Sequence, residues 1–111
     1  MQLATEELAG GVTRVVLEGR MDIAGTEAVD LQMNAIGSSS KFVLLDMQKV
    51  SFLGSMGLRT IFNTARAIQS RGGKIVLFGP GELVARVLKT SGVNTVIPIH
   101  EEMQSAIAAL Q

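Results

Sequence analysis

Residues 52–58, Phe52-Leu53-Gly54-Ser55-Met56-Gly57-Leu58, stand between a strand pattern and a helix pattern. Upstream, Phe42-Val43-Leu44-Leu45-Asp46 is a nearly unbroken apolar run of strand length. Downstream, apolar residues recur at helical spacing, at Leu58, Ile61, Phe62, Ala65 and Ile68. A small hydroxyl residue between glycines at such a junction is typical of a helix cap. We therefore expect Ser55 to be the N-cap, with its Oγ at the surface.

The alternation of strand and helix patterns continues along the chain. Strands are predicted at 2–8, 13–18, 42–47, 74–78 and 96–97, and helices from Thr26 to Gly37, at 56–70, from Gly81 to Gly92 and at 101–110. Gly10-Gly11 predicts a hairpin, so the first strand should be antiparallel to the second. Crossover helices separate the later strands, which should be parallel. The pattern leaves open a layered βα superhelix with its helices on one face, or a doubly wound sheet.

The helix patterns also indicate inward faces. Thr26 is the expected cap of the first helix, whose apolar stripe would consist of Ala28, Leu31, Ala35 and Ile36. The inner side of the third helix would consist of Leu83, Val84, Val87 and Leu88, and that of the last helix of Met103, Ile107 and Leu110. Gly72 or Gly73 should supply the left-handed residue that ends the second helix.

Composition predicts one globular domain over residues 1–111, since 47% of the residues are hydrophobic and 18% charged. The chain has no cysteine, which excludes disulfides and thiolate chemistry. Ten basic residues balance ten acidic ones without a basic cluster. Nucleic acid and membrane are therefore disfavoured as direct partners, and the oligomeric state is left open. With no signal peptide or bilayer-length apolar run, the expected location is the cytoplasm.

No catalytic, metal or cofactor site is indicated. The chain has a single histidine, His100, and Leu53 occupies the place of the first glycine of a nucleophile elbow. Gly54-Ser55-Met56-Gly57 lacks the lysine of a P-loop. Asp22 and Asp46 follow strands but have no second acid or base nearby, so structural capping is the favoured interpretation. The sequence therefore predicts a protein that is not an enzyme.

The run from Val43 through Asp46 to Leu58 resembles the signature of STAS domains, specifically the bacterial anti-sigma factor antagonists. That signature is a strand ending in Asp, a spacer, an aromatic and an aliphatic residue, then Asp-Ser-Ser/Thr-Gly-Leu opening a helix. The similarity extends along nearly the whole chain, through Leu17-Glu18-Gly19-Arg20-Met21-Asp22, Gly72-Gly73 and Leu88-Lys89-Thr90-Ser91-Gly92-Val93. The resemblance favours the superhelix, with helices mainly on one face, over the doubly wound sheet.

The resemblance implies a protein–protein switch without a cofactor. In the family, the serine aligned with Ser55 is phosphorylated by a partner that is both an anti-sigma factor and a serine kinase. The unphosphorylated antagonist binds that partner and frees the sigma factor, the phosphorylated form lets go, and a serine phosphatase resets it. The partner-binding residues expected on this basis are Asp22, Gly54, Ser55, Met56, Gly57, Arg59, Asn63 and Arg66.

Two residues depart from the family pattern. Gly54 stands where the family has aspartate, and Met56 replaces the second hydroxyl residue, which leaves Ser55 as the only aligned acceptor. The missing aspartate keeps a second hypothesis open, a STAS scaffold or regulatory subunit of a larger assembly that is not phosphorylated. A third is a phosphate- or nucleotide-binding protein that uses the helix starts at Ser55 and Gly81.

Overall fold

Five strands and four helices alternate along the chain in the computed structural model, which describes residues 1–111. The elements are β1 (Gln2–Leu8), β2 (Val12–Met21), α1 (Ile23–Ser39), β3 (Phe42–Leu53), α2 (Ser55–Ser70), β4 (Lys74–Phe78), α3 (Glu82–Thr90), β5 (Ile99–His100) and α4 (Met103–Ala109), with short 3-10 turns at Ala9–Gly11 and Val93–Thr95. None of the helices combines the length and apolar composition needed to cross a bilayer.

The sheet has the same strand order as the chain, β1-β2-β3-β4-β5. β1 is antiparallel to β2, and every later pair is parallel. Gly10 and Gly11 both adopt positive φ in the turn that joins β1 to β2, as their glycine pair predicted. Each strand is thus added beside its predecessor, which confirms the predicted superhelix with an antiparallel N-terminal strand.

The helices cover the two faces of the sheet unequally. The main core joins side chains of α1, α2 and α3 to strand residues such as Val43 and Leu45. A smaller core joins Ala106 and Leu110, at α4, to Leu44 on the opposite face of β3. The helices therefore lie mainly on one face, as predicted. α4 follows the last strand and therefore does not connect two parallel strands. The preference for right-handed crossovers, which places the connecting helices on one face, does not apply to it.

Several predicted boundaries were wrong. β2 runs to Met21, α1 begins at Ile23 and β3 runs to Leu53, so the predicted loop from Gly19 to Gly25 is the end of β2 and the first turn of α1. The last strand is Ile99–His100 rather than 96–97, and α4 starts at Met103. The extra length of β2 and β3 brings the starts of α1 and α2 together at the carboxyl ends of these two strands.

The inward face of α1 also differs from the prediction. Asp22, not Thr26, is the N-cap, and Thr26 is buried. Leu31, predicted to be inside, is 82% exposed. The buried residues are Gly25, Thr26, Val29, Met33, Ile36 and Gly37. At Gly37 a Cβ would lie 3.3 Å from the Cβ of Ala67, so glycine allows α1 to approach α2 closely there, while Val29, Met33 and Ile36 pack in the main core.

Candidate functional site

Ser55 is the first residue of α2 and its side chain is exposed. The N-cap is Gly54, whose N–H donates to the Met21 carbonyl oxygen at 3.1 Å, and no side chain caps the helix. The prediction that Ser55 is the cap was therefore wrong by one position. Because the first N–H groups of a helix have no partner within it, this end of α2 offers donors and a partial positive charge beside an exposed hydroxyl.

Gly57 holds α2 against the ends of β2 and β3. It is buried, and a Cβ there would lie 2.6 Å from the Met21 Cγ and 2.8 Å from the Leu53 Cδ1. No side chain fits this position without moving buried neighbours. Gly57 therefore lies beneath the predicted partner-binding surface and packs against buried side chains, contrary to the prediction that it is a contact residue.

Asp22 caps α1 next to the start of α2. Its Oδ1 accepts a hydrogen bond from the Gly25 N–H at 2.8 Å, and its Oδ2 lies 3.5 Å from the Arg20 Nε. The Gly25 hydrogen bond, followed by Arg20, lowers the pKa of Asp22 below its usual range. A Cβ at Gly25 would overlap the Arg20 carbonyl oxygen, so the tight turn that places Asp22 here requires glycine.

Asp22 and Ser55 line the same shallow groove, which has a volume of about 410 Å³. The other lining residues are Ile23, Phe52, Gly54 and Met56. The structure thus brings together four of the predicted site residues, and adds Ile23 and Phe52. Ile23 is 64% exposed and Phe52 40% exposed. Their position in the sequence could have indicated both, because Ile23 follows Asp22 directly and Phe52 lies two residues before Gly54.

The outward face of α2 continues from this groove. Met56, Arg59, Asn63 and Arg66 are all exposed, as predicted. Phe62, predicted to be internal, is half-buried with the Arg66 guanidinium 5.6 Å from the centre of its ring. α2 contains no acidic residue, so this face is cationic.

The remaining polar residues considered for chemistry lie elsewhere. Asp46 is buried and bonded to Arg14, with its Oδ2 2.7 Å from the Arg14 Nη2. The His100 Nδ1 lies 3.2 Å from the Ser105 hydroxyl. No three acidic, histidine or cysteine side chains are gathered in a way that could hold a metal ion. What the arrangement offers chemically is one exposed hydroxyl on a surface of mixed apolar and cationic character.

Comparison with known proteins places this geometry in a family. The chain is similar to the anti-sigma F factor antagonist of Paenibacillus polymyxa, with 26% identity over 103 residues, which are 91% of this chain and 88% of that protein. An anti-sigma factor antagonist from Mycobacterium paratuberculosis has the same fold, with a TM-score of 0.87 at 23% identity over 98% of this chain and 92% of that one.

The phosphorylated form of the Bacillus cell fate determinant SpoIIAA also shares the fold. Its TM-score is 0.73 at 17% identity, over 99% of this chain and all (100%) of that one. A family model described as STAS domain matches residues 5–106. That range includes every strand from β2 onward, the groove and the whole of α2, and the chain therefore belongs to the STAS domain family.

Proposed function

We propose that this chain is an anti-sigma factor antagonist that is switched off by phosphorylation of Ser55. Unphosphorylated, it binds an anti-sigma factor with serine kinase activity in the cytoplasm and thereby frees a sigma factor. Phosphorylation ends the binding, and a serine phosphatase restores it. The relatives named as antagonists support the first step. The observation that carries the switch is the exposed Ser55 hydroxyl at the edge of the cationic face of α2.

A phosphate at Ser55 is compatible with the fold. It would meet the free N–H groups of the first turn and the positive end of the helix dipole, both of which favour an anion. Arg59 follows four residues later, so the two side chains are neighbours on the helix surface. The phosphate could therefore pair with Arg59 within the chain, and the modification changes the surface without unfolding α2.

The same phosphate would oppose a partner seated on this face. A partner carboxylate that pairs with Arg59 would lose its counter-charge and meet nearly two negative charges instead. A penalty of about 3 kcal/mol weakens binding roughly a hundredfold, which is enough for a switch. The chain itself contributes binding and no catalysis in this scheme; the kinase and the phosphatase supply the chemistry.

The test compares Ser55→Ala and Ser55→Asp in binding to the purified anti-sigma kinase, measured by calorimetry. Ser55→Ala should bind like the wild type and resist switching, whereas Ser55→Asp should weaken binding roughly a hundredfold. Ser105→Asp is the matched control, since it makes the same change at an exposed serine in the first turn of α4, on the other face of the sheet. Equal affinities for the alanine and aspartate variants at position 55 would reject the switch.

Gly54 favours a second candidate, a STAS scaffold or regulatory subunit that is not phosphorylated. The residue before the acceptor is glycine instead of the family's aspartate, so it offers no charge for a kinase to recognise. Intact mass after incubation with the kinase and ATP separates the two functions. Addition of one phosphate group to the wild type but not to Ser55→Ala supports the switch, and an unmodified wild type supports the scaffold.

A further inference from the structure

Two shallow grooves meet at the side chain of Phe52. The first is the Ser55 groove. The second, of about 280 Å³, lies between the end of β3 and α3, and its apolar lining includes Leu53, Leu83 and Val87. Phe52 lines both grooves. The apolar surface that begins beside Ser55 therefore continues to α3, an element that the sequence did not connect with function.

Exposed apolar side chains are concentrated along this line. Six large apolar side chains of the chain are exposed, and four of them line the two grooves. They are Ile23, Phe52, Met56 and Leu83, with exposed fractions of 64%, 40%, 39% and 69%. Single exposed apolar residues are ordinary on protein surfaces, but a contiguous group of them marks an interaction site.

Phe52 forms the ridge between the two grooves, and its ring is supported on one side by Arg20. The Arg20 guanidinium carbon lies 4.4 Å from the centre of the Phe52 ring. On the other side, a Cβ at Gly54 would lie 3.2 Å from the Phe52 Cε2. The family's aspartate at position 54 would therefore press on the ring. Glycine at position 54 adds neither a side chain nor a charge, so the ridge formed by Phe52 is apolar.

The charges beside the second groove define what can bind there. Arg86 lines it and forms an ion pair with Glu82, with the Nη2 and Oε1 atoms 3.6 Å apart and both side chains well exposed. An exposed pair of this kind is weak and can be exchanged. Together with the cationic face of α2, the rim favours a partner that surrounds an apolar contact with carboxylates.

We infer that the groove between β3 and α3, here called the α3 groove, is a second anchor for the anti-sigma kinase. It takes an apolar side chain of that partner against Phe52 and Leu83, with a partner carboxylate toward Arg86. This inference rests on the proposed function and extends the contact surface beyond α2. The α3 groove lies apart from the residues around Ser55, so substitutions there test this second contact separately from the phosphorylation switch.

The test uses Leu83→Glu and Leu83→Ala with the purified anti-sigma kinase that phosphorylates Ser55. Leu83 is the second residue of α3, where an added acid suits the helix dipole, so neither variant should lower the melting temperature. Leu83→Glu should weaken binding roughly tenfold or more, and Leu83→Ala by a smaller factor. Leu31→Glu is the matched control, an exposed leucine on α1 that lines neither groove.

The outcomes separate this inference from the proposed function. If Leu83→Glu binds like Leu31→Glu while Ser55→Asp fails to bind, the α3 groove is not an anchor and the switch stands. If neither Ser55→Asp nor Leu83→Glu affects binding, the proposed function fails and the inference fails with it. If sedimentation shows that the wild type self-associates and Leu83→Glu does not, the groove is covered by a second copy of the chain, which also overturns the inference.

Discussion

At the scale of single residues, the two carboxylate oxygens of Asp22 bind different partners. Its Oδ1 caps α1 through the Gly25 N–H, and its Oδ2 faces Arg20, which in turn stacks on Phe52. The cap fixes where α1 starts, and the second oxygen steadies the ring at the centre of the proposed surface. Asp22 is therefore a link between local helix formation and the site.

The pKa of Asp22 leads to a prediction about acid stability. Because the folded-state pKa is lowered, the folded chain keeps this carboxylate charged at a pH where the unfolded chain has bound a proton. Its contribution to stability is complete above the unfolded pKa of about 4 and is lost as the pH falls through the folded pKa. Asp22→Asn keeps a capping oxygen but cannot titrate.

Urea unfolding of the wild type and of Asp22→Asn at a series of pH values tests this prediction. The stability difference between the two proteins should shrink as the pH falls from about 5 to about 2. Glu27→Gln is the control, because it removes a carboxylate from α1 without touching the cap. A difference that stays constant over the whole range would show that the carboxylate charge of Asp22 does not stabilise the fold.

The sequence predicted correctly that the Ser55 side chain is exposed, but not which residue caps α2. The exposure of Ser55 followed from its place between a strand and a helix, whereas its cap role fell to Gly54. The capping preference of serine is outweighed here because the Gly54 N–H bonds the Met21 carbonyl, which fixes the turn one residue earlier. That contact joins residues far apart in sequence, and no local pattern records it.

At the scale of elements, glycines decide how closely the helices approach their neighbours. Gly25 places the start of α1 against β2, and Gly57 places α2 against Met21 and Leu53. Hydrophobic periodicity located all four helices. It misplaced the inner face of α1, where it selected Leu31, because this helix carries a second apolar set, Val29, Met33 and Ile36, and that set packs in the core. Leu83 was predicted to lie on the inner side of α3 but is exposed, because this part of α3 borders a groove that no other element covers.

Gly57→Ala tests the close approach of α2. The added Cβ would overlap two buried side chains, so we expect a loss of roughly 1 to 3 kcal/mol in the free energy of unfolding. Gly81→Ala is the control, since nothing lies within 4 Å of a Cβ at that position. Urea denaturation measures both. If the two variants lost equally little stability, the space beneath Gly57 would have to be larger than the structure shows.

At the scale of the whole molecule, the face of the sheet that carries α4 is only partly covered. α4 packs on Leu44, Val76 and Phe78. Farther along the sheet, Arg14 lies across from Glu6 of β1 and bonds Asp46 of β3, so three strands are joined by charged side chains on this face. The hydrogen bond from Arg14 to Asp46, and then the one to Glu6, raise the pKa of Arg14 above its usual range.

Removing the Arg14 side chain should therefore lower the free energy of unfolding by more than the loss of a surface ion pair would. The Asp46 side chain is only 2% exposed, and without Arg14 its Oδ1 would keep the Gln48 N–H while its Oδ2 lost its partner. Arg14→Met should lower the free energy of unfolding by about 3 kcal/mol, as expected for a buried carboxylate left unpaired. Glu6→Gln should cost less than about 1 kcal/mol, because the Glu6 side chain is 56% exposed.

The double variant Arg14→Met/Asp46→Leu separates charge burial from packing on this face. Replacing both partners by apolar residues removes the unpaired carboxylate, so the double variant should recover at least half of the stability lost by Arg14→Met. Urea denaturation measures all three proteins. If the double variant is less stable than Arg14→Met, then Asp46 contributes through its bond to the Gln48 N–H rather than through Arg14. In that case the carboxylate supports the irregular stretch of β3 after Asp46, where its pairing with β2 shifts register, and is not a tie between the strands.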